Sequence, residues 1–136
     1  MDVLYKKLNY KGQKRIAVLN CTEEFYKYSV SVLGDVQIDP EIDPRYPYEF
    51  MLVFTELVSE VENLAPKVLH NLVTDGILWF AYPKKTSKKS CASDLDRDHG
   101  WIVLIEKGFD KVRQVSIDND WSALRFRNVR FIKSSK

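Results

Sequence analysis

The two longest apolar stretches of the chain are FMLVF at Phe50–Phe54 and ILWFAY at Ile77–Tyr82. Continuous apolar runs of this length are typical of strands buried on both faces, as in a parallel sheet. Between them, Ser59 and Glu62 have the spacing of a capping box, which predicts the start of a helix. Its apolar face repeats at helical spacing through Val61, Leu64, Ala65, Val68 and Leu72. The region therefore predicts a strand–helix–strand unit.

The residues upstream predict the same alternation. Lys14–Leu19 ends in an apolar run and predicts a third buried strand. Asn20, with Glu23 three residues later, fits the N-cap of a following helix, and Gly34 fits its end. Val36–Asp39 then predicts a short strand.

The residues downstream predict an antiparallel ending. After the lysine-rich loop Pro83–Ser93, a helix is expected from about Asp94 to Lys107. Lys111–Asp118 and Trp121–Arg127 then predict two strands joined by a tight turn. We therefore expect a three-layer α/β domain over residues 1–136, with its core at about 14–127 and a mainly parallel sheet that ends in an antiparallel hairpin.

Composition excludes several classes of protein. The chain has 136 residues, is 45% hydrophobic and 29% charged, and carries a net charge of +2. This balance argues against disorder and against a strongly basic nucleic-acid-binding domain. The two cysteines and two histidines lack metal-ligand spacing, so no metal is expected. The N-terminus has no apolar signal core, which predicts a cytoplasmic protein without a membrane partner.

Candidate ligand-binding residues follow from the predicted sheet, because such sheets bind ligands at the carboxyl ends of their strands. No residue is assigned a catalytic role, since nothing identifies a base or an oxyanion hole. Cys21 at a helix start is either a reactive thiol or a structural one. The lysines of the Lys84–Lys89 segment either contact an anion or keep a solvated loop soluble. The candidates are Asn20, Cys21, Asp39, Tyr82, Lys84, Lys85 and Trp121.

Two segments carry a resemblance to a known superfamily. Tyr48–Phe54 followed by a helix, and then LVTDGILW at Leu72–Trp79, resembles the second half of S-adenosylmethionine-dependent methyltransferases. WSALRF at Trp121–Phe126 is similar to part of the ending of these enzymes. The chain is similar still more closely to a group of short bacterial proteins without an established function. These proteins carry Tyr-Pro-Lys, here Tyr82–Lys84, and the same WSALRF segment.

The resemblance implies a Rossmann-like fold and makes S-adenosylmethionine a conceivable cofactor, with Asp39 where such folds hold the ribose hydroxyls. The departures concern the cofactor site. The superfamily has a glycine-rich turn after its first strand, whereas Asn20–Glu24 contains no glycine and ends in two acids that would repel the methionine carboxylate. No segment predicts the strand that normally follows Asp39.

The leading expectation is a non-catalytic binding or interaction module that has lost its cofactor and takes an unidentified ligand or protein partner. The first alternative is an unorthodox S-adenosylmethionine-dependent methyltransferase. The second is a nucleic-acid accessory protein that uses the Lys84–Lys89 loop. The sequence leaves the oligomeric state open.

Overall fold

The predicted strands form one six-stranded sheet in a computed structural model, which describes residues 2–132. The prediction that residues 1–136 form one domain therefore extends beyond the described part at Met1 and at residues 133–136. The strand order is β2-β1-β3-β4-β6-β5; the first four strands run parallel, and β6 is antiparallel to both of its neighbours. The strands are β1 Arg15–Leu19, β2 Gln37–Asp39, β3 Tyr48–Phe54, β4 Leu72–Pro83, β5 Phe109–Ser116 and β6 Trp121–Asn128.

Helices cover both faces of this sheet and give it three layers. One face packs against the first two helices and the other against the last two, so the buried side chains divide into two clusters. The helices are α1 Val3–Lys7, α2 Glu23–Leu33, α3 Val58–Asn71 and α4 Ile102–Glu106, with 3-10 turns at Lys88–Ala92 and Val129–Phe131. This is the α/β architecture that the apolar stretches predict.

Aromatic side chains anchor the two clusters. Trp79 in β4 lies under α1, and its indole N–H donates to the carbonyl of Leu8 at 2.8 Å. On the opposite face, Trp101 packs against Phe80 and donates to the carbonyl of Asp96 at 2.7 Å. Complete burial of a large apolar side chain stabilises a fold by about 1.5–3 kcal/mol, and here each buried indole also has its polar group satisfied.

The helix expected from Asp94 to Lys107 is wrong over most of its length, because only Ile102–Glu106 is α-helical. The Asp94 carboxylate instead accepts a hydrogen bond from the backbone N–H of Val58 at 2.7 Å and so caps α3 from a distance. Asp96 accepts from the backbone N–H of Asp98 at 2.8 Å, which stabilises a turn. Side-chain acceptors that suit a helix start also suit turns, and here the turn prevails.

Two predicted helix starts are also wrong in detail. Thr22, not Asn20, is the N-cap of α2, and its hydroxyl accepts from the N–H of Phe25 at 3.1 Å. At α3 the cap is Leu57 rather than Ser59, and Glu60 accepts the backbone N–H of Leu57 at 2.9 Å. Both helices begin within two residues of the expected position.

The segment that follows β2 contains no strand, in agreement with the expectation from the sequence. Between Asp39 and Tyr48 the structure has turns and bends and no strand, so β2 pairs only with β1. Helix α1 was not predicted; Asp2 caps it by accepting from the N–H of Tyr5 at 3.2 Å. Within residues 2–132, no helix combines the length and apolar character that crossing a membrane requires.

Candidate functional site

Two cavities adjoin each other at the carboxyl ends of the parallel strands. The β1–β2 cleft, about 340 Å³, lies between the turn after β1 and the residues that follow β2. The helix–hairpin cavity, about 420 Å³, lies between α1, the first turns of α2 and the tip of the β5–β6 hairpin. Thr22 lines both cavities. Together they have the size and position expected for a small-molecule site on an open α/β sheet.

The β1–β2 cleft is built on the turn from β1 into α2. Asn20 is exposed and has a backbone φ of 59°, so the chain makes a left-handed turn here without a glycine. Cys21 is half-buried, and burial raises the pKa of its thiol above the ordinary value. A thiol in that state is protonated at neutral pH and is a poor nucleophile. Both residues line the cleft.

Asp39 does not line this cleft, because its carboxylate turns to the sheet face that α3 covers. One oxygen accepts hydrogen bonds from the Arg15 guanidinium at 2.7 Å and from the Tyr48 hydroxyl; the other accepts from Gln37 at 2.9 Å. Burial and the Asp39 hydrogen bond raise the pKa of Tyr48 to about 12. Asp39 is only 8% exposed, and both oxygens already have protein donors. A ribose-binding role for Asp39 would require this network to open.

The exposed carboxylate at the end of β2 belongs to Glu41, two residues after Asp39. It lines the β1–β2 cleft beside Pro40. Sequence reasoning passed over Glu41 because Asp39 matched the superfamily position. Alternation along the strand would have shown that Asp39 lies on the face opposite Ile38 and turns away from the α2 side, but it does not single out Glu41, which lies beyond the end of β2.

The helix–hairpin cavity has an aromatic wall. Phe25 and Trp121 line the cavity, and the buried ring of Phe54 packs between them, with its centroid 5.0 Å from the centroid of each. The Lys89 ammonium is 6.0 Å from the centre of the Trp121 ring. Trp121 therefore lines a cavity, and the lysine-rich loop contributes one cation, Lys89, to it.

Carboxylates form the rim of the same cavity. Asp118 accepts the backbone N–H groups of Asp120 and Trp121, at 2.8 and 2.9 Å, and so fixes the hairpin turn. Asp120 accepts from the Ser87 hydroxyl at 2.7 Å and links the hairpin to the lysine-rich loop. Glu24, in the first turn of α2, is exposed. The cavity thus combines aromatic surface with acceptors, a lining suited to a partly apolar ligand with donor groups.

The remaining predicted residues line a third cavity, the lysine-loop cavity, of about 380 Å³. Lys84 donates to the Ser116 hydroxyl at 2.6 Å, and Gln114 donates to the Tyr82 hydroxyl at 2.8 Å. Lys85 is exposed, and the acids Asp96 and Asp98 line the cavity together with the lysines. Six of the seven predicted residues therefore divide among three cavities, and the seventh, Asp39, lines none of them.

No protein-family model and no curated protein sequence matches the chain. Its fold, however, matches solved methyltransferases. An S-adenosylmethionine-dependent methyltransferase from Aquifex aeolicus has a TM-score of 0.59 at 11% identity, over 91% of this chain and 87% of that one. An N-methyltransferase from Bradyrhizobium japonicum in complex with S-adenosyl-L-homocysteine has a TM-score of 0.55 at 14% identity, over 85% and 67%.

A third structure is magnesium protoporphyrin IX methyltransferase from Synechocystis with bound S-adenosylmethionine, with a TM-score of 0.56 at 10% identity, over 92% of this chain and 74% of that one. These likenesses confirm the methyltransferase-like Rossmann fold. At such low identities they show the fold alone, and fold does not fix activity.

Proposed function

We propose that the protein is an S-adenosylmethionine-dependent methyltransferase with an unorthodox cofactor site. The cofactor would bind in the β1–β2 cleft, and the methyl acceptor in the helix–hairpin cavity. The observation that carries the proposal is the junction of these two cavities at Thr22, at the carboxyl edge of the sheet. Support also comes from the fold, since two of its solved neighbours hold S-adenosylmethionine or S-adenosyl-L-homocysteine.

The residues of the β1–β2 cleft fit this cofactor in part. Asn20 adopts the left-handed backbone conformation that a glycine would usually supply in this turn. The N–H of Phe25 is taken by Thr22, which leaves the N–H groups of Glu23 and Glu24 as donors for a carboxylate at the start of α2. Glu41 offers acceptors to ribose hydroxyls. The Glu23 carboxylate, a repulsive element, has the Lys27 ammonium 3.2 Å away.

Bound S-adenosylmethionine supplies an electrophilic methyl group. The contribution of this chain is to orient the acceptor and to exclude water. Phe25 and Trp121 offer an apolar surface against which an acceptor can pack, and Glu24 offers an oxygen that accepts a proton or a hydrogen bond. The acceptor that this lining favours is a partly apolar molecule with an amine or hydroxyl donor.

The second candidate is the non-catalytic binding or interaction module. The closed network around Asp39 favours it, because the acid at the superfamily's ribose position serves the fold instead. The nucleic-acid alternative stays a prediction. Lys84 already donates to Ser116, and the acids Asp96 and Asp98 line the same cavity, so the electrostatic attraction of this loop for phosphate is weakened.

Thermal unfolding with S-adenosylmethionine and with S-adenosyl-L-homocysteine distinguishes the first two candidates. A ligand at 100 times its dissociation constant stabilises the native state by about 2.7 kcal/mol. In a domain of this size that raises the melting temperature by roughly 5 °C or more. Absence of a shift at millimolar concentrations of both compounds would overturn the enzyme proposal and leave the interaction module.

The variant Glu41→Gln tests the role of Glu41 by the same thermal unfolding measurement. Glu41 is exposed, so the variant should melt with the wild type when no ligand is present, and its ligand-induced shift should be smaller. Glu62→Gln on the exposed side of α3 is the matched control and should keep the full shift. A full shift in Glu41→Gln would contradict the assigned role of Glu41 while leaving cofactor binding intact.

A further inference from the structure

The last two strands place two arginines opposite each other. Arg113 in β5 pairs in register with Arg125 in β6. Val115 and Ala123, each two residues away from one of the arginines, are also paired and belong to the cluster on the α1–α2 face. Because residues two apart on a strand share a face, the two arginine side chains lie on that face as well. Like charges directly opposite each other on a sheet are destabilising. Such a pair therefore requires an explanation.

Neither arginine has a protein partner within residues 2–132. Arg127, two residues beyond Arg125 on the same face, donates two hydrogen bonds of 2.7 Å to Asp75, so this acid is already engaged. The Nε of Arg125 is buried and donates to nothing in the described part of the chain. Burial, with the nearby Arg127, lowers the pKa of Arg125. Buried donors are almost always satisfied in native proteins, so an orphaned charged donor indicates a missing acceptor.

We propose that Arg113 and Arg125 form a binding site for a phosphate group. A guanidinium presents its N–H donors in a planar fork, and a phosphate has enough oxygens to accept from two such forks at once. A bound dianion would also remove the repulsion between the two arginines and give the guanidinium group of Arg125 an acceptor. Arg113 is exposed, so one side of the pair is open to an incoming anion.

This site is separate from the cavities described above. Arg125 is four residues along β6 from Trp121, which corresponds to about 13 Å at the usual rise of a strand. Neither arginine lines the β1–β2 cleft or the helix–hairpin cavity. The inference is therefore independent of the proposed methyltransferase activity, and each can fail without the other.

Inorganic phosphate is the first probe, added at constant ionic strength against sodium chloride while the melting temperature is measured. We expect phosphate to raise the melting temperature of the wild type and to leave Arg125→Met unchanged. Without phosphate, Arg125→Met should melt above the wild type, because the orphaned donor and the like-charge repulsion are gone. Arg113→Gln, at an exposed position, should also lose the response. Arg130→Gln, exposed on the same strand's exit, is the control that should keep it.

The source of the phosphate is tested with adenosine monophosphate and with a short single-stranded oligonucleotide in calorimetric titrations. Tighter binding of the oligonucleotide with a steep salt dependence would assign the site to a nucleic-acid backbone. Equal affinity per phosphate would assign it to a small phosphorylated molecule. An equal phosphate effect on the wild type, Arg113→Gln and Arg125→Met would overturn the proposal, because phosphate then acts through the solvent.

Discussion

Two arginines near opposite edges of the sheet have opposite surroundings: one has hydrogen-bond partners and the other has none within residues 2–132. Arg15 in β1 donates to Asp39 at 2.7 Å and to Asp43 at 3.0 Å, and its guanidinium lies 4.3 Å from the centre of the Tyr46 ring. Arg125 in β6 has a buried Nε that donates to nothing within residues 2–132. The Arg15 cluster is completed by the chain itself, and we regard it as part of the fold. The Arg125 cluster is incomplete, and we regard it as a place for a ligand.

Two acids at the end of β2 differ in the same way, in whether the chain itself supplies donors to their carboxylates. Asp39 has the position that the superfamily uses for its ligand, yet its hydrogen bonds go to side chains of β1, β2 and β3. Glu41 accepts no such bond from the residues that the structure describes, and it lines the β1–β2 cleft. Whether a carboxylate can bind a ligand therefore depends on what its oxygens already accept, and position in the sequence does not reveal this.

The largest effect is expected for Asp39→Ala. Removal of the carboxylate leaves the buried Tyr48 hydroxyl and two further donors without their acceptor. We expect a loss of about 3 kcal/mol in the free energy of unfolding, measured by urea denaturation, since hydrogen bonds to charged groups are among the strongest. Glu41→Ala is the matched control and should change stability by less than about 0.5 kcal/mol. Equal losses in the two variants would break the distinction between them.

A smaller effect is expected for Tyr48→Phe. The variant removes one hydrogen bond to Asp39 and keeps the buried ring, so about 1.5 kcal/mol should be lost at pH 7. Because the pKa of Tyr48 is raised to about 12 in the folded protein, its contribution is complete below the ordinary tyrosine pKa and is lost as the pH rises toward the folded value. The difference between wild type and variant should therefore narrow above about pH 10 in urea titrations. A constant difference across this range would contradict the assignment.

The smallest effect is expected for Asp75→Asn, which breaks the partly exposed ion pair with Arg127. The hydrogen bonds from Arg127 lower the pKa of Asp75 below its ordinary value. Its stabilising contribution is therefore complete above the unfolded pKa and is lost as the pH falls through the folded pKa. We expect the melting temperatures of wild type and variant to differ slightly at pH 7 and to converge below about pH 4. A gap that persists in acid would indicate a packing effect instead.

The sheet could be predicted because each strand has an apolar pattern in its own short stretch of sequence. Apolar runs such as Phe50–Phe54 give both the strand and its burial. The alternation of Leu124 and Phe126 with arginines gives the strand β6, but its predicted half-exposure is wrong, because five of its eight residues are buried and none is exposed. The failures involve partners distant in sequence. Asp94 suits a helix start, and only the fold brings it 2.7 Å from the N–H of Val58. The residues that line the cavities were harder to predict, because cavity lining depends on the face of the sheet or helix on which each side chain lies.

The three tryptophans have a consequence for optical spectroscopy. They are buried in different parts of the molecule: Trp79 beneath α1, Trp101 on the opposite face and Trp121 in the wall of the helix–hairpin cavity, with exposed fractions of 0%, 2% and 5%. Intrinsic fluorescence thus reports on both cores and on a candidate site without any label. In a Trp79→Phe, Trp101→Phe background, the remaining indole becomes a single emitter whose quenching follows occupancy of the cavity directly.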